Sequence, residues 1–273
     1  MDCCIYGITG YPLGHSLSPA LHNHWFAECG SQNKVYCTWP VKNEDLDYFI
    51  RSVRLLSISG ASVTIPHKEA VIPFLDEISP TARQIGAVNT LYWRKGRLAG
   101  DNTDVTGFTL PLLSLKKDLH SALVLGAGGA ARAVVHGLKK LGIKTVLSNK
   151  TASKAEALAR EMKAETVAWE KRHSVRTDLL VNTTPLGMYG ENRDRSPWEA
   201  DMTGVQAVYD IIYNPVDTPL TKQATQEGKT IIPGLEMFVA QAAEQFRIWT
   251  GLEMDREPAL AFLGRILGKS RAG

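Results

Sequence analysis

At 273 residues, with 44% hydrophobic and 22% charged side chains, the chain has the composition of an ordinary globular protein of one large or two modest domains. A formal net charge of +3 without a clustered run of Lys and Arg argues against a nucleic-acid partner. Of the four cysteines, Cys3, Cys4, Cys29 and Cys37, none forms a C-x-x-C pair, which argues against a disulfide framework or a zinc site, and no apolar run reaches membrane-spanning length, so the expectation is a cytoplasmic protein with no membrane partner and no metal.

Ile5–Gly7, Val35–Trp39, Gly60–Ile65 and Thr90–Trp93 read as strands. Pro19–Cys29, Glu44–Leu56 and Pro80–Ile85 read as helices or helix starts. That alternation predicts a parallel α/β layer over the first hundred residues. Before the first helix, Gly14-His15-Ser16-Leu17-Ser18-Pro19 places Ser18 and Pro19 as an N-cap and N1 pair. Ser16 and Ser18 alternate, so both hydroxyls can face one side of the helix N-terminus and cradle a carboxylate. His15 reads as a support for this loop. His22 and His24 lie two apart on a helix, where side chains diverge, so they are not read as a metal pair.

Ser62-Val63-Thr64-Ile65-Pro66-His67-Lys68 is a strand running into a helix start. Lys68 then sits at the positive end of that helix, where its proton is held less tightly, which suits a proton-transfer lysine. A surface lysine in a first turn is the plainer alternative. Gly86-Ala87-Val88-Asn89-Thr90 and Gly100-Asp101-Asn102-Thr103-Asp104 are polar turns, and Asp104 is a candidate partner for Lys68.

A second α/β unit is predicted from Ala122. The strand Ala122–Leu125 leads into Gly126-Ala127-Gly128-Gly129-Ala130-Ala131, and the helix Ala130–Leu141 follows. This is the strand–loop–helix setting of a dinucleotide fingerprint: a glycine for the tight turn, a glycine for close approach of the pyrophosphate, and a small third residue for packing. Further strands are predicted at Thr145–Ser148, Leu179–Asn182, Ala207–Ile212 and Thr230–Ile232, with a helix at Ser153–Met162 and a mobile polar loop at Gly190–Pro197. After Ser148 the chain reads Asn149-Lys150-Thr151, with Lys154 beyond and no carboxylate before Glu156. Two lysines and two small polar groups suit a ribose 2′-phosphate, so NADP is expected ahead of NAD. Two final helices, Met237–Thr250 and Pro258–Leu267, come with no strand between them and are expected to return to the first domain.

Taken in order, these motifs together with Asn182-Thr183-Thr184-Pro185-Leu186-Gly187-Met188 and Gly234-Leu235-Glu236-Met237-Phe238-Val239-Ala240-Gln241-Ala242 resemble the shikimate dehydrogenase family over nearly the whole chain. The resemblance implies an α/β protein of two domains. An N-terminal substrate domain would cover residues 1–104, completed by 236–273, and a Rossmann-type NADP-binding domain residues 105–235. It implies reversible, NADPH-dependent reduction of 3-dehydroshikimate to shikimate, with quinate or dual quinate/shikimate dehydrogenation as the alternative. It implies that Ser16, Ser18 and Tyr213 hold the substrate carboxylate. Thr64, Asn89, Asp104 and Gln241 would contact ring hydroxyls, and Lys68 would be the acid/base residue with Asp104 its partner. Ile211 and Gly234 would line the nicotinamide end, and the chain would be a monomer or homodimer. Two positions depart from the family pattern: Ser62 stands where asparagine is usual, and Lys150 where arginine is usual. Lysine offers a point charge and not a planar fork.

Overall fold

The computed structural model describes residues 3–14 and 16–269. The chain divides into two compact units. One takes the described residues up to Thr103 together with Gln241–Ile266; the other takes Asp104–Ala240 and the described residues after Ile266. The C-terminal return is therefore narrower than the expected 236–273.

The first unit runs β1 (Cys4–Gly10), α1 (Ser18–Glu28), β2 (Lys34–Pro40), α2 (Leu46–Leu55), β3 (Gly60–Val63), α3 (His67–Ala70), β4 (Glu77–Ile78), α4 (Pro80–Ile85), β5 (Thr90–Arg94) and β6 (Arg97–Asp101). Its strands lie in the order β2-β1-β3-β5-β6-β4. The sheet is mixed, not parallel as predicted. β1 is parallel to β2 and β3, whereas β5 is antiparallel to both β3 and β6. The cause is a tight hairpin: Lys95 and Gly96 both have positive φ, 50° and 76°, as a two-residue turn matching strand twist requires. Gly100 and Asp101, expected in a turn, end β6. Leu46, Phe49, Ile50 and Val53 share one face of α2 at helical spacing and pack on Val63, Leu91 and Leu98.

The second unit runs α5 (Asp104–Leu112), β7 (Ser121–Leu125), α6 (Gly129–Lys140), β8 (Lys144–Ser148), α7 (Ala152–Met162), β9 (Glu165–Thr166), β10 (Leu179–Asn182), β11 (Ala207–Asp210), α8 (Pro219–Gln226) and β12 (Thr230–Pro233). All its strands are parallel, in the order β12-β11-β10-β7-β8-β9. The chain leaves β7 in one direction to β8 and later returns on its other side to β10. This is a Rossmann-type switch point, where a crevice opens at the carboxyl ends of the strands. Apolar clusters cover both faces, one built on Phe108, Val134 and Leu158, the other on Trp198, Met202 and Leu220.

Two helices follow, α9 (Gly234–Thr250) and α10 (Arg256–Lys269). α9 starts in the second unit, and its residues from Gln241 on belong to the first. There Phe246 and Trp249 join Tyr6, Phe26 and Tyr36 around His22. Trp249 lies flush on β3: a Cβ on Gly60 would come within 2.5 Å of its indole nitrogen. His22 is therefore a core residue, fully buried and stacked on Tyr36 at 4.5 Å.

Candidate active site

The glycine loop leaves β7 through Gly126, whose φ is +114°. A Cβ there would strike the Thr183 hydroxyl. Thr183 is fixed in that place, because its N–H and hydroxyl both donate to the Leu125 carbonyl, at 2.8 and 2.7 Å. Ala127 packs on the core beside it. Gly128 is the extended N-cap of α6, and a Cβ built on it would meet nothing within 4 Å. That open side leaves room for a phosphate against the backbone. α6 begins at Gly129, one residue before the predicted Ala130, and carries no acidic residue in its first turn. The first-turn N–H groups of a helix have no intrahelical acceptor and attract an anion. Ala131 is fully buried, which explains the small third residue of the motif.

β8 delivers Asn149, Lys150 and Thr151 beyond the same edge. Asn149 Nδ2 donates to the Thr151 carbonyl at 2.9 Å, so this side chain braces the turn. Lys150, Thr151 and Lys154 are exposed. Lys150 lines a cavity of about 460 Å³ with Trp169, Arg172, Arg195 and Ser196, and with two carboxylates, Asp194 and Glu199. Arg172 is buried. Its guanidinium lies 4.2 Å from the Trp169 ring and donates to the Pro197 carbonyl and to Glu199. This wall escaped sequence reasoning, because neither Trp169–Ser174 nor Gly190–Pro197 carries a motif.

β11 ends at Asp210, two residues before the predicted Ile212. The Asp210 carboxylate terminates it by accepting from Ile212 N–H at 3.2 Å, Asn182 Nδ2 at 3.0 Å and the Thr218 hydroxyl at 2.6 Å. Burial pushes its pKa up to about 6, against the lowering effect of those three donors. Ile211 consequently lies past the strand. A Cβ on Gly234 would come within 2.5 Å of the Ile211 carbonyl carbon, so only glycine fits where β12 turns into α9. Tyr213 packs its ring on Phe238 with centroids 4.4 Å apart. Asp104, the first residue of α5, is buried in this unit.

In the first unit Ser18, expected to cap α1, stands one position further into the helix. Ser18 is the first residue of α1, and no side chain caps that helix from the Leu17 position. Instead Ser16 Oγ accepts the Ser18 N–H at 3.3 Å. Ser18 is buried and Ser16 partly exposed. His15 lies outside the described residues. Thr64 follows β3, donating its N–H to Thr9 and accepting from His67 N–H, both at 2.9 Å. Lys68 is half-buried, and its carbonyl accepts the Val88 N–H at 2.7 Å. The helix carrying it has four residues, so the dipole invoked for it is that of a single turn. Asn89 is buried against Thr103: Oδ1 accepts the Thr103 N–H at 2.8 Å, and Nδ2 donates to the Thr103 hydroxyl at 3.0 Å. Gln241 is half-buried on α9.

Comparison with known proteins places this arrangement. Residues 8–91 match the family model described as the shikimate dehydrogenase substrate binding domain, and residues 234–261 match the shikimate 5′-dehydrogenase C-terminal domain. The chain is 48% identical to a shikimate dehydrogenase (NADP(+)) of Oleidesulfovibrio alaskensis over 96% of this chain and 95% of the relative. It is 44% identical to the protein of that name from Maridesulfovibrio salexigens, over 95% and 96% respectively. Among solved structures it resembles the shikimate 5-dehydrogenase of Thermus thermophilus in complex with NADP(H) and shikimate, at TM-score 0.86 and 37% identity, covering 96% of this chain and 99% of the other.

Proposed function

This chain belongs to the shikimate dehydrogenase family, and we propose that it catalyses the reversible NADPH-dependent reduction of 3-dehydroshikimate to shikimate. The observation that carries the reading is identity to enzymes of that name and cofactor over essentially the whole chain, both units included. The same relatives disfavour the quinate alternative.

The residues present fit NADP. Gly126 makes the positive-φ turn into the loop, Gly128 leaves an open side that a Cβ would narrow, α6 presents an N-terminus with no side-chain cap, and the sequence from Asn149 to Ala155 carries Lys150 and Lys154 without a carboxylate. Gly126, Ala127, Gly128, Gly129 and Ala130 would hold the pyrophosphate. Asn149, Lys150, Thr151 and Lys154 would hold the 2′-phosphate, and Ile211 and Gly234 the nicotinamide end. When bound, NADPH supplies the hydride.

In this reading Ser16 and Ser18 of the first unit and Tyr213 of the second orient the substrate carboxylate, and Thr64, Asn89, Asp104 and Gln241 orient the ring through its hydroxyls. Held so, the ring presents its carbonyl carbon in one pose, which removes much of the entropic cost of reaction. Lys68 Nζ gives a proton to the carbonyl oxygen as charge develops there, and takes it back in the oxidative direction. Asp104 is the partner of Lys68 in this reading.

We also propose that the enzyme works in the cytoplasm, since the spacing of its four cysteines suits a reducing compartment, as a monomer or homodimer that sedimentation of the purified protein distinguishes. The function is tested by mixing purified protein with shikimate or quinate, and with NADP or NAD, and following nicotinamide reduction. Reduction with shikimate and NADP is expected. No reduction with any pair would sink the enzyme reading.

A further inference from the structure

A line of buried hydrogen bonds crosses the first unit through four separate segments. The Tyr36 hydroxyl lies 2.6 Å from Ser62 Oγ, and Ser62 Oγ lies 2.8 Å from Gln245 Oε1. Gln245 Nε2 lies 3.0 Å from both the Asn89 carbonyl and Thr90 Oγ1, and Thr90 Oγ1 lies 2.7 Å from Asn89 Oδ1. All five residues are buried, Gln245 at 1% exposure.

One atom sets the direction of the whole line. The Asn89 carbonyl can only accept, so the Gln245 carboxamide must turn Nε2 towards it. The other Nε2 hydrogen then occupies Thr90 Oγ1, which sends its own proton to Asn89 Oδ1. At the far end Gln245 Oε1 takes the Ser62 proton, and Ser62 in turn accepts from Tyr36. Flipping Gln245 would set two oxygens 3.0 Å apart. The Asn89 carboxamide is held the same way round from its other side, because its Oδ1 also accepts the Thr103 N–H. Tyr36 is itself anchored on the edge strand. Asn23 accepts its N–H at 2.8 Å and donates to its carbonyl at 2.9 Å.

We propose that Gln245 is a positioning residue for the substrate: together with the Thr103 N–H it fixes which edge of the Asn89 carboxamide is offered to the ring, and the Tyr36–Ser62 pair holds Gln245 in register. The proposal rests on the reading that Asn89 contacts shikimate.

The test is steady-state kinetics on the full chain. Gln245→Met keeps length and approximate volume while removing all three bonds. It should raise the KM for shikimate roughly tenfold, leave the KM for NADP within about twofold, and change kcat by less than about threefold. Tyr36→Phe, which removes one hydroxyl, should raise the shikimate KM by roughly threefold. In an Asn89→Ala background Gln245→Met should add nothing, because the line ends at Asn89. A Gln245→Met enzyme with unchanged shikimate KM, beside an Asn89→Ala enzyme whose KM rises, overturns the positioning role alone. Fully additive effects also overturn it, since Gln245 then acts by another route. Unchanged shikimate KM in Asn89→Ala, or a parent protein inactive with shikimate and NADP, overturns the functional reading beneath it. Should Gln245→Met fail to fold, Tyr36→Phe and Ser62→Ala carry the same test, and unchanged shikimate KM in both overturns the proposal.

Discussion

Gly234 abuts the peptide of Ile211 so closely that a Cβ would lie 2.5 Å from the Ile211 carbonyl carbon and 2.5 Å from the Ile212 oxygen. Backbone on both sides leaves nothing soft to give way. Gly234→Ala should therefore push the Ile211 segment out of place. A destabilisation of about 1–3 kcal/mol is expected by thermal melting, with a several-fold rise in the KM for NADP. An unchanged melting point and KM would show that the segment yields freely.

Lys68→Ala should lower kcat by about 10²–10⁴, the usual span for a lost general acid or base. Shikimate binding measured by calorimetry should fall only a few-fold. Turnover close to that of the parent would remove Lys68 from the proton-transfer role.

Lys150 supplies an exposed charge at the end of β8. Lys150→Ala should weaken NADP binding about tenfold or more, the range of a charge-assisted bond, while leaving NAD untouched. Lys150→Arg should tighten NADP by restoring a planar fork. Parallel losses for both cofactors in Lys150→Ala would place the side chain away from the 2′-phosphate.

His22 and Asp210 give stability an opposed pH dependence. Burial lowers the His22 pKa from 6.5 to about 3. The unfolded chain takes up a proton below 6.5 that the folded chain refuses, so this stability is complete above that pH and is lost as pH falls towards 3. Asp210 is raised from 3.8 to about 6. Its contribution is complete below 3.8 and is lost as pH rises through 6. Denaturant titrations between pH 3.5 and pH 7 should show His22→Phe flattening the acid loss and Asp210→Asn steepening it. Identical pH slopes in parent and variants would contradict both.

The legible parts of the molecule are those where local chemistry and tertiary role agree. The strand Ala122–Leu125, its glycine loop and the following helix were readable because each glycine answers a backbone need, and the two-domain α/β architecture follows from that alternation. β6 was hidden because Gly100 and Asp101 are turn formers by propensity, overridden by pairing with β5. α5 was hidden because it contains Gly107 and Pro111. It is held instead by packing on α6, where Gly137 admits Phe108 and Thr109. The Ser16 and Ser18 assignments turned on one residue of helix boundary, which side-chain type does not resolve. Gln245 left a faint signal: a polar residue one turn after Gln241, on a helix whose other neighbours at that spacing are apolar.

The first unit draws on two stretches of chain separated by Asp104–Ala240, and that imposes an order on synthesis. Trp249 and Phe246, which cover Tyr6 and His22, and Gln245, which completes the line from Tyr36 to Asn89, emerge from the ribosome only after Asp104–Ala240 has been made. At common translation rates that interval is on the order of 10–30 seconds. Through it the nascent β1–β3 sheet keeps an aromatic face bare, while the second unit already has most of its strands and helices. The enzyme is thus assembled middle first, and its β1–β6 layer waits, exposed to chaperones and proteases, for a helix made more than a hundred residues later.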